Sequence, residues 1–173
     1  LTKIAVVLVL DISASLGGDF QKVKQFAKQF TQIVAQNTSD TGSGALHSKV
    51  GIVAFSTIIS QIIPLSPNSP QLSAFIDSLH QGQFTALYDG MVTGIGMLTD
   101  PTLQADGRAL VTFTDGTDNS SIISSTTYGS FFTGLASIIL LSSPKSQNPQ
   151  VRKNKDKITI PKPITKQKLS RTS

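Results

Sequence analysis

Ile4-Ala5-Val6-Val7-Leu8-Val9-Leu10-Asp11-Ile12-Ser13-Ala14-Ser15 is the stretch that decides how this chain is read. Ile4 to Leu10 is an unbroken apolar run, β-branched or leucine at every position but Ala5. With no alternation of apolar and polar positions, the strand it forms is expected to be buried on both faces, as in a parallel sheet. The run stops at a carboxylate, followed at alternate positions by two hydroxyls. Asp11, Ser13 and Ser15 thus share the turn that leaves the strand, and Gly17 and Gly18 free the backbone beyond it.

Working outward, Val23, Phe26, Ala27, Phe30, Ile33 and Val34 recur at helical spacing, opposite a Lys- and Gln-rich face. Asn37 to Ser48 reads as a polar loop. Strand signals return at Lys49 to Phe55 and Gln61 to Leu65. Ser69-Pro70 starts a helix with Leu72, Phe75, Ile76 and Leu79 inward, ending at Gly82. A further helix follows Thr85, with Leu87, Met91, Ile95 and Leu98 inward, and stops before Pro101. Its Gly90, Gly94 and Gly96 weaken it in isolation and permit close packing on a sheet. Arg108 to Thr114 is a second buried strand, ending at Asp115. Tyr128 to Ala136 is expected to be helical and Ser137 to Leu141 a strand.

Strand and helix alternate, so the expected fold is α/β: a doubly wound, mostly parallel central sheet flanked by helices. Such sheets bind ligands beyond the C-terminal ends of their strands, where strand order switches direction. Asp11 and Asp115 both fall at that edge. The domain is expected over residues 1–143. From Pro144 the helical and strand periods cease, and residues 144–173 read as a basic, proline-containing, disordered tail with at most a short strand at Ile158 to Ile160.

Composition narrows the function classes. The 173 residues are 39% hydrophobic and 14% charged, with nine Phe and no Trp, which suits a folded domain. Twenty-two Ser and eighteen Thr solvate the surface, and every acidic residue is Asp. Without cysteine there are no disulfides, thiolate metal sites or cysteine nucleophiles. Seven apolar residues in a row fall far short of the ~20 that span a bilayer, so no membrane span is expected in this chain. Because the chain opens on Leu1, the lack of a leader peptide argues nothing.

The net charge of +5 dissolves when divided along the chain. Residues 1–144 hold six basic groups against nine Asp, and residues 145–173 hold nine against Asp156 alone. The basicity belongs to the tail, which lacks interleaved aromatic residues, so no nucleic-acid partner is expected. The compartment is open, with low charge and abundant Ser and Thr leaning toward an extracellular or cell-envelope setting.

A carboxylate and two hydroxyls on one turn can converge on a hard cation that takes about six oxygens at ~2.1 Å, which suggests Mg2+ or Mn2+. Thr114-Asp115-Gly116, at a second strand end, and Thr85, before a helix, point to the same crevice. With these three pieces the sequence resembles the von Willebrand factor A domain family and its metal-ion-dependent adhesion site. Asp11, Ser13 and Ser15 match the family's Asp-x-Ser-x-Ser; Thr85, in Gly82-Gln83-Phe84-Thr85, resembles its later threonine; Thr114-Asp115-Gly116 matches its Thr-Asp-Gly. The resemblance covers roughly residues 3–142. It implies that the hydroxyls of Ser13, Ser15 and Thr85 contact the metal directly, while Asp11 and Asp115 act partly through water. Two carboxylates leave the ion electrophilic, so the partner implied is a protein presenting an Asp or Glu carboxylate. The implied function is a divalent-metal-dependent binding or adhesion module with no chemistry of its own.

Two departures stand out. The family completes its sheet with a further helix and strand, where this chain has the basic tail, so the C-terminal portion is expected to be missing or altered, by truncation or a frameshift. Phe84 stands before Thr85 where a small residue is usual. Other readings compete. Asp11 and Thr85 could be helix caps; Asp118 and Asn119 could be turn formers at the rim; Asp89 could face solvent or brace a loop. His47 and His80 lack companions at ligand spacing. Gly94-Ile95-Gly96 lies inside a helix and is no dinucleotide fingerprint. Asn37-Thr38-Ser39 and Asn119-Ser120-Ser121 match a short glycosylation pattern that arises often by chance. A magnesium-dependent phosphatase of the haloacid dehalogenase type also sets an Asp after its first buried strand, but its Asp-x-Asp needs an acid/base carboxylate where this chain has Ser13. A truncated, non-functional fragment is the remaining alternative.

Overall fold

The structure is a computed structural model that describes residues 3–36, 48–67, 69–124 and 137–142. The expected helix at Tyr128 to Ala136, the tail from residue 144 and nearly all of the Asn37 to Ser48 loop lie outside the described residues.

Five strands form one sheet in the order β3-β2-β1-β4-β5. β1 (Ile4–Asp11) is central, with β2 (Lys49–Phe55) and β4 (Gly107–Thr114) parallel on either side, and β5 (Ser137–Ser142) parallel to β4. β3 (Ile59–Ser66) pairs antiparallel with β2. The three residues between β2 and β3 leave no alternative, since a parallel return needs a crossover of about a dozen residues. As the edge strand, β3 tolerates Pro64, which could not donate within an interior ladder.

From Ala5 to Leu10 the apolar run of β1 is buried on both faces, as its pattern requires, while Ile4 at the start of the strand is exposed. Val6, Leu8 and Leu10 pack toward α1 (Phe20–Gln36) and α2 (Ser69–Ser78), while Ala5, Val7 and Val9 pack toward α3 (Leu87–Leu98). Each buried Leu, Ile or Met of α3 (Leu87, Met91, Ile95, Leu98) contributes about 1.5–3 kcal/mol. Gly90 and Gly94 bring α3 onto the sheet: a Cβ there would stand 2.8 Å from Phe55 and 2.6 Å from Leu110. Gly96 faces away, with open space around it.

Two expectations need correction. α2 ends at Ser78, not Gly82, because the chain must turn across the sheet edge. Phe26 and Ile33 on α1 are exposed, whereas Val23, Ala27, Phe30, Thr31 and Val34 face inward. Phe26 lies on the flank toward β4, where its ring meets Phe113 at 4.5 Å. Helical period shows which side of α1 is apolar, but the neighbours set how wide a stripe they cover. No helix among the described residues is long and apolar enough to cross a membrane.

Candidate functional site

From the end of α2 the chain crosses the C-terminal edge of the sheet before entering α3 on the other face. This strap, residues 79–86, is tied to the exits of β1 and β2. Gly82 N–H donates to Ile12 O (2.7 Å), Ala14 N–H to Gln83 O (3.1 Å) and Ala86 N–H to Ser56 O (2.7 Å). The Gln81 amide reaches Ser13 O at 3.3 Å. The strap lies so close to β2 that a Cβ at Gly82 would stand 2.2 Å from Ser56 Oγ, so only glycine fits. It delivers Thr85 to the gap between β1 and β4, where strand order reverses.

In that gap the oxygens form a chain. Ser13 N–H donates to Asp11 Oδ1 (2.8 Å), and the Thr114 hydroxyl, from the end of β4, donates to Asp11 Oδ2 (2.7 Å). Ser13 Oγ lies 2.9 Å from Ser15 Oγ, and the Ser15 hydroxyl donates to Asp115 Oδ1 at 2.9 Å. Gly116 is flanked by two hydroxyls: a Cβ there would lie 3.4 Å from Thr85 Oγ1 and 4.0 Å from Ser15 Oγ. Asp11, Ser13, Ser15, Thr85 and Asp115, on three separate segments, are therefore brought together.

Asp11 and Ser13 are 0% exposed and Thr85 3%. Burial pushes the Asp11 carboxyl above its ordinary range, and the nearby Asp115 charge pushes the same way; hydrogen bonds from Ser13 and Thr114 hold it back only in part. Among the described residues no cationic side chain pairs with it, since the ion pairs, Lys22 with Asp19 and Lys28 with Asp77, lie elsewhere. No cluster of three or more His, Cys, Asp or Glu occurs among the described residues either. Any cation bound here would be held largely by hydroxyls, which suits Mg2+ or Mn2+ better than a soft metal.

The helix-cap reading of Thr85 is not what the structure shows: the residue before α3 is Ala86, and no side chain of it caps the helix. The cap comes from the loop after β4. Asn119 Oδ1 accepts Thr85 N–H (2.8 Å), Asn119 N–H donates to Thr85 O (2.9 Å), Asp118 Oδ1 accepts Tyr88 N–H (3.4 Å), and Ser121 Oγ accepts Asp89 N–H (3.1 Å). Asp118 and Asn119, expected from the sequence as turn formers at the rim, are thus more than that. The sequence signal for them is that Asp115-Gly116-Thr117-Asp118-Asn119 continues directly from Thr114-Asp115-Gly116 and resembles a variant of the family motif. Asp89 braces the same loop, its carboxylate accepting Ile122 and Ile123 N–H at 2.9 and 3.0 Å. His80 is exposed on the strap, and His47 lies outside the described residues.

No protein among those of curated function matches the sequence. Several solved structures share the fold. The vWF domain of the type V pili tip protein Mfa5 from Porphyromonas gingivalis aligns with a TM-score of 0.60 at 14% identity, over 72% of this chain and 43% of that one. The pilus adhesin SpaC from Lactobacillus rhamnosus GG gives 0.56 at 22% identity, over 68% and 16%. BatB from Bacteroides thetaiotaomicron, a conserved hypothetical protein, gives 0.56 at 18%, over 80% and 65%. The chain spans less than half of the Mfa5 and SpaC chains, and at these identities the likeness concerns the fold alone. The sequence model of the von Willebrand factor type A domain matches residues 6–117, more than half of the chain and a span that includes Asp11, Ser13, Ser15, Thr85 and Asp115. This chain belongs to the von Willebrand factor type A domain family.

Proposed function

We propose that this domain is a divalent-metal-dependent protein-binding module of the adhesion type. The hydroxyls of Ser13, Ser15 and Thr85 and the carboxylates of Asp11 and Asp115 would hold Mg2+ or Mn2+, which when bound supplies an electrophilic position for a partner's Asp or Glu carboxylate. One observation carries the reading: two carboxylates and three hydroxyls from separate segments converge at the strand-order switch, and no Lys or Arg among the described residues forms an ion pair with either carboxylate. A buried Asp11 beside Asp115 is costly on its own, and a divalent ion removes that cost.

The chain's own residues fix the donor set. Thr114 and Ser13 N–H hold the two oxygens of Asp11 in place, Asp115 orients the Ser15 hydroxyl, and Asn119 clamps the backbone of Thr85. Metal and partner would each raise the affinity of the other by the same factor. The pilus proteins Mfa5 and SpaC share the fold, which favours an adhesive role. The phosphatase reading is disfavoured because Ser13, bonded to Ser15, stands where an acid/base carboxylate is required.

The test is Mn2+ binding followed by electron paramagnetic resonance, beside hydrolysis of an aryl phosphate with Mg2+. Wild type is expected to bind Mn2+, a Ser13→Ala, Ser15→Ala variant to bind it at least tenfold more weakly, and neither to release phosphate. Equal Mn2+ binding by the variant, or turnover abolished by Asp11→Asn, would overturn the proposal.

A further inference from the structure

Three large apolar side chains stand in solvent on the loops around the candidate metal centre: Ile58 (65% exposed), Phe84 (55%) and Ile122 (92%). Their main chains are pinned. Phe84 N–H donates to Thr57 Oγ1 (3.2 Å), the Ser120 hydroxyl donates to Thr57 O (3.1 Å), and Ile122 N–H donates to the Asp89 carboxylate. Thr57 thereby links the β2–β3 turn, the strap and the loop after β4, one residue from Ile58, directly at Phe84 and two residues from Ile122. Phe84 immediately precedes Thr85 of the donor set.

The charge at this edge is one-sided. Residues 12–18, 56–60, 79–89 and 115–124 contain no Lys or Arg, while Asp89, Asp115 and Asp118 lie among them. On the first turns of α1, Lys22 is paired with Asp19 and Lys24 with the carbonyls of Asp77 and Leu79. Among the described residues of this edge, an acidic run would meet the Asp carboxylates and no Lys or Arg free of a partner. Exposed apolar groups gathered at one edge in a polar surround, unlike those scattered singly, mark a contact surface, and these three sit on loops joined through Thr57.

From these observations we infer that the partner is a protein segment in which a single carboxylate is flanked by apolar or aromatic side chains, seated against Ile58, Phe84 and Ile122. This rests on the metal-dependent reading above and deepens it by fixing the surroundings of the carboxylate.

The test is selection of a random dodecapeptide phage library with a fixed central Asp on the full chain in Mg2+, eluted with chelator. Synthetic versions of the selected peptides are then titrated against wild type and an Ile58→Ser, Phe84→Ser variant. The metal-induced rise in Tm is read separately on both proteins. The inference expects Leu, Ile, Val or Phe enriched beside the Asp, and at least tenfold weaker binding by the variant. Polar or acidic flanks, unchanged affinity in the variant, or no chelator-eluted binder from a protein whose Tm rises with Mg2+ would overturn it and leave the metal reading standing. Apolar-flanked peptides captured without regard to chelator, with no metal effect on Tm, would defeat the metal reading and leave the rim in place.

Discussion

Replacing Asn119 by Ala isolates the clamp on Thr85. Asn119 is exposed, so truncating it opens no cavity and removes little packing. What it removes is the Oδ1 that accepts Thr85 N–H at 2.8 Å, in a residue only 3% exposed. The backbone bonds from Asn119 and Ser120 N–H to Thr85 O need no side chain and remain available. The cost is therefore that of one orphaned, buried N–H, about 1–3 kcal/mol. For a domain of this size each kcal/mol lowers Tm by about 2–4 °C, so a fall of roughly 2–12 °C is expected. The assay is urea unfolding in chelator, so that metal does not enter, joined to amide hydrogen exchange at Thr85. Protection of that amide should drop in the variant. Stability within about 0.5 kcal/mol of wild type, the range of an ordinary surface change, together with undiminished protection at Thr85, would refute the clamp.

Gly82→Ala forces a methyl into Ser56 and should cost about 1–3 kcal/mol of overpacking. A second substitution, Ser56→Gly, should restore part of it, and strictly additive losses in urea unfolding would show that the strap is not seated there. Asp11 gives a pH prediction. Its carboxyl titrates above its ordinary value in the fold, so the folded state holds the proton longer than the unfolded one. Without metal its contribution is present below the unfolded pKa and is lost as pH rises through the raised folded value. Metal-free wild type should thus lose Tm relative to Asp11→Asn as pH is raised from about 4 toward neutrality, and a parallel pair of curves would contradict this. Saturating Mg2+ should shrink or reverse that difference, because metal favours the ionised form.

Much of this arrangement was legible because it is local. β1 announced itself by an unbroken apolar run, and Asp11, Ser13 and Ser15 follow it within five residues. Thr85 and Asp115 could be added because each lies beside an element boundary that composition marks. The Asn119 clamp joins positions 34 residues apart, and no local pattern encodes that pairing. Residues 79–82 of the strap read as the tail of α2 because Leu79 continues the helical stripe; the hydrogen bonds of Gly82 and Gln83 to the β1 exit decide otherwise. The exposure of Phe26 and Ile33 depends on which neighbours flank α1, which periodicity does not carry. Gly90 and Gly94, four residues apart, make the close contacts the sequence suggests, whereas Gly96, two residues beyond Gly94 and so roughly on the opposite side of the helix, does not.

The central claim is that a divalent ion is held by these hydroxyls. Thermal unfolding of residues 1–173 in Mg2+, in Mn2+ and in chelator, for wild type and Ser13→Ala, Ser15→Ala, tests it most directly. A ligand bound only to the folded state at one hundred times its Kd adds about 2.7 kcal/mol, so Tm should rise by roughly 5–11 °C in wild type. The double variant should show no rise. A cooperative wild-type transition that ignores both metals, or an equal rise in the double variant, would contradict the account.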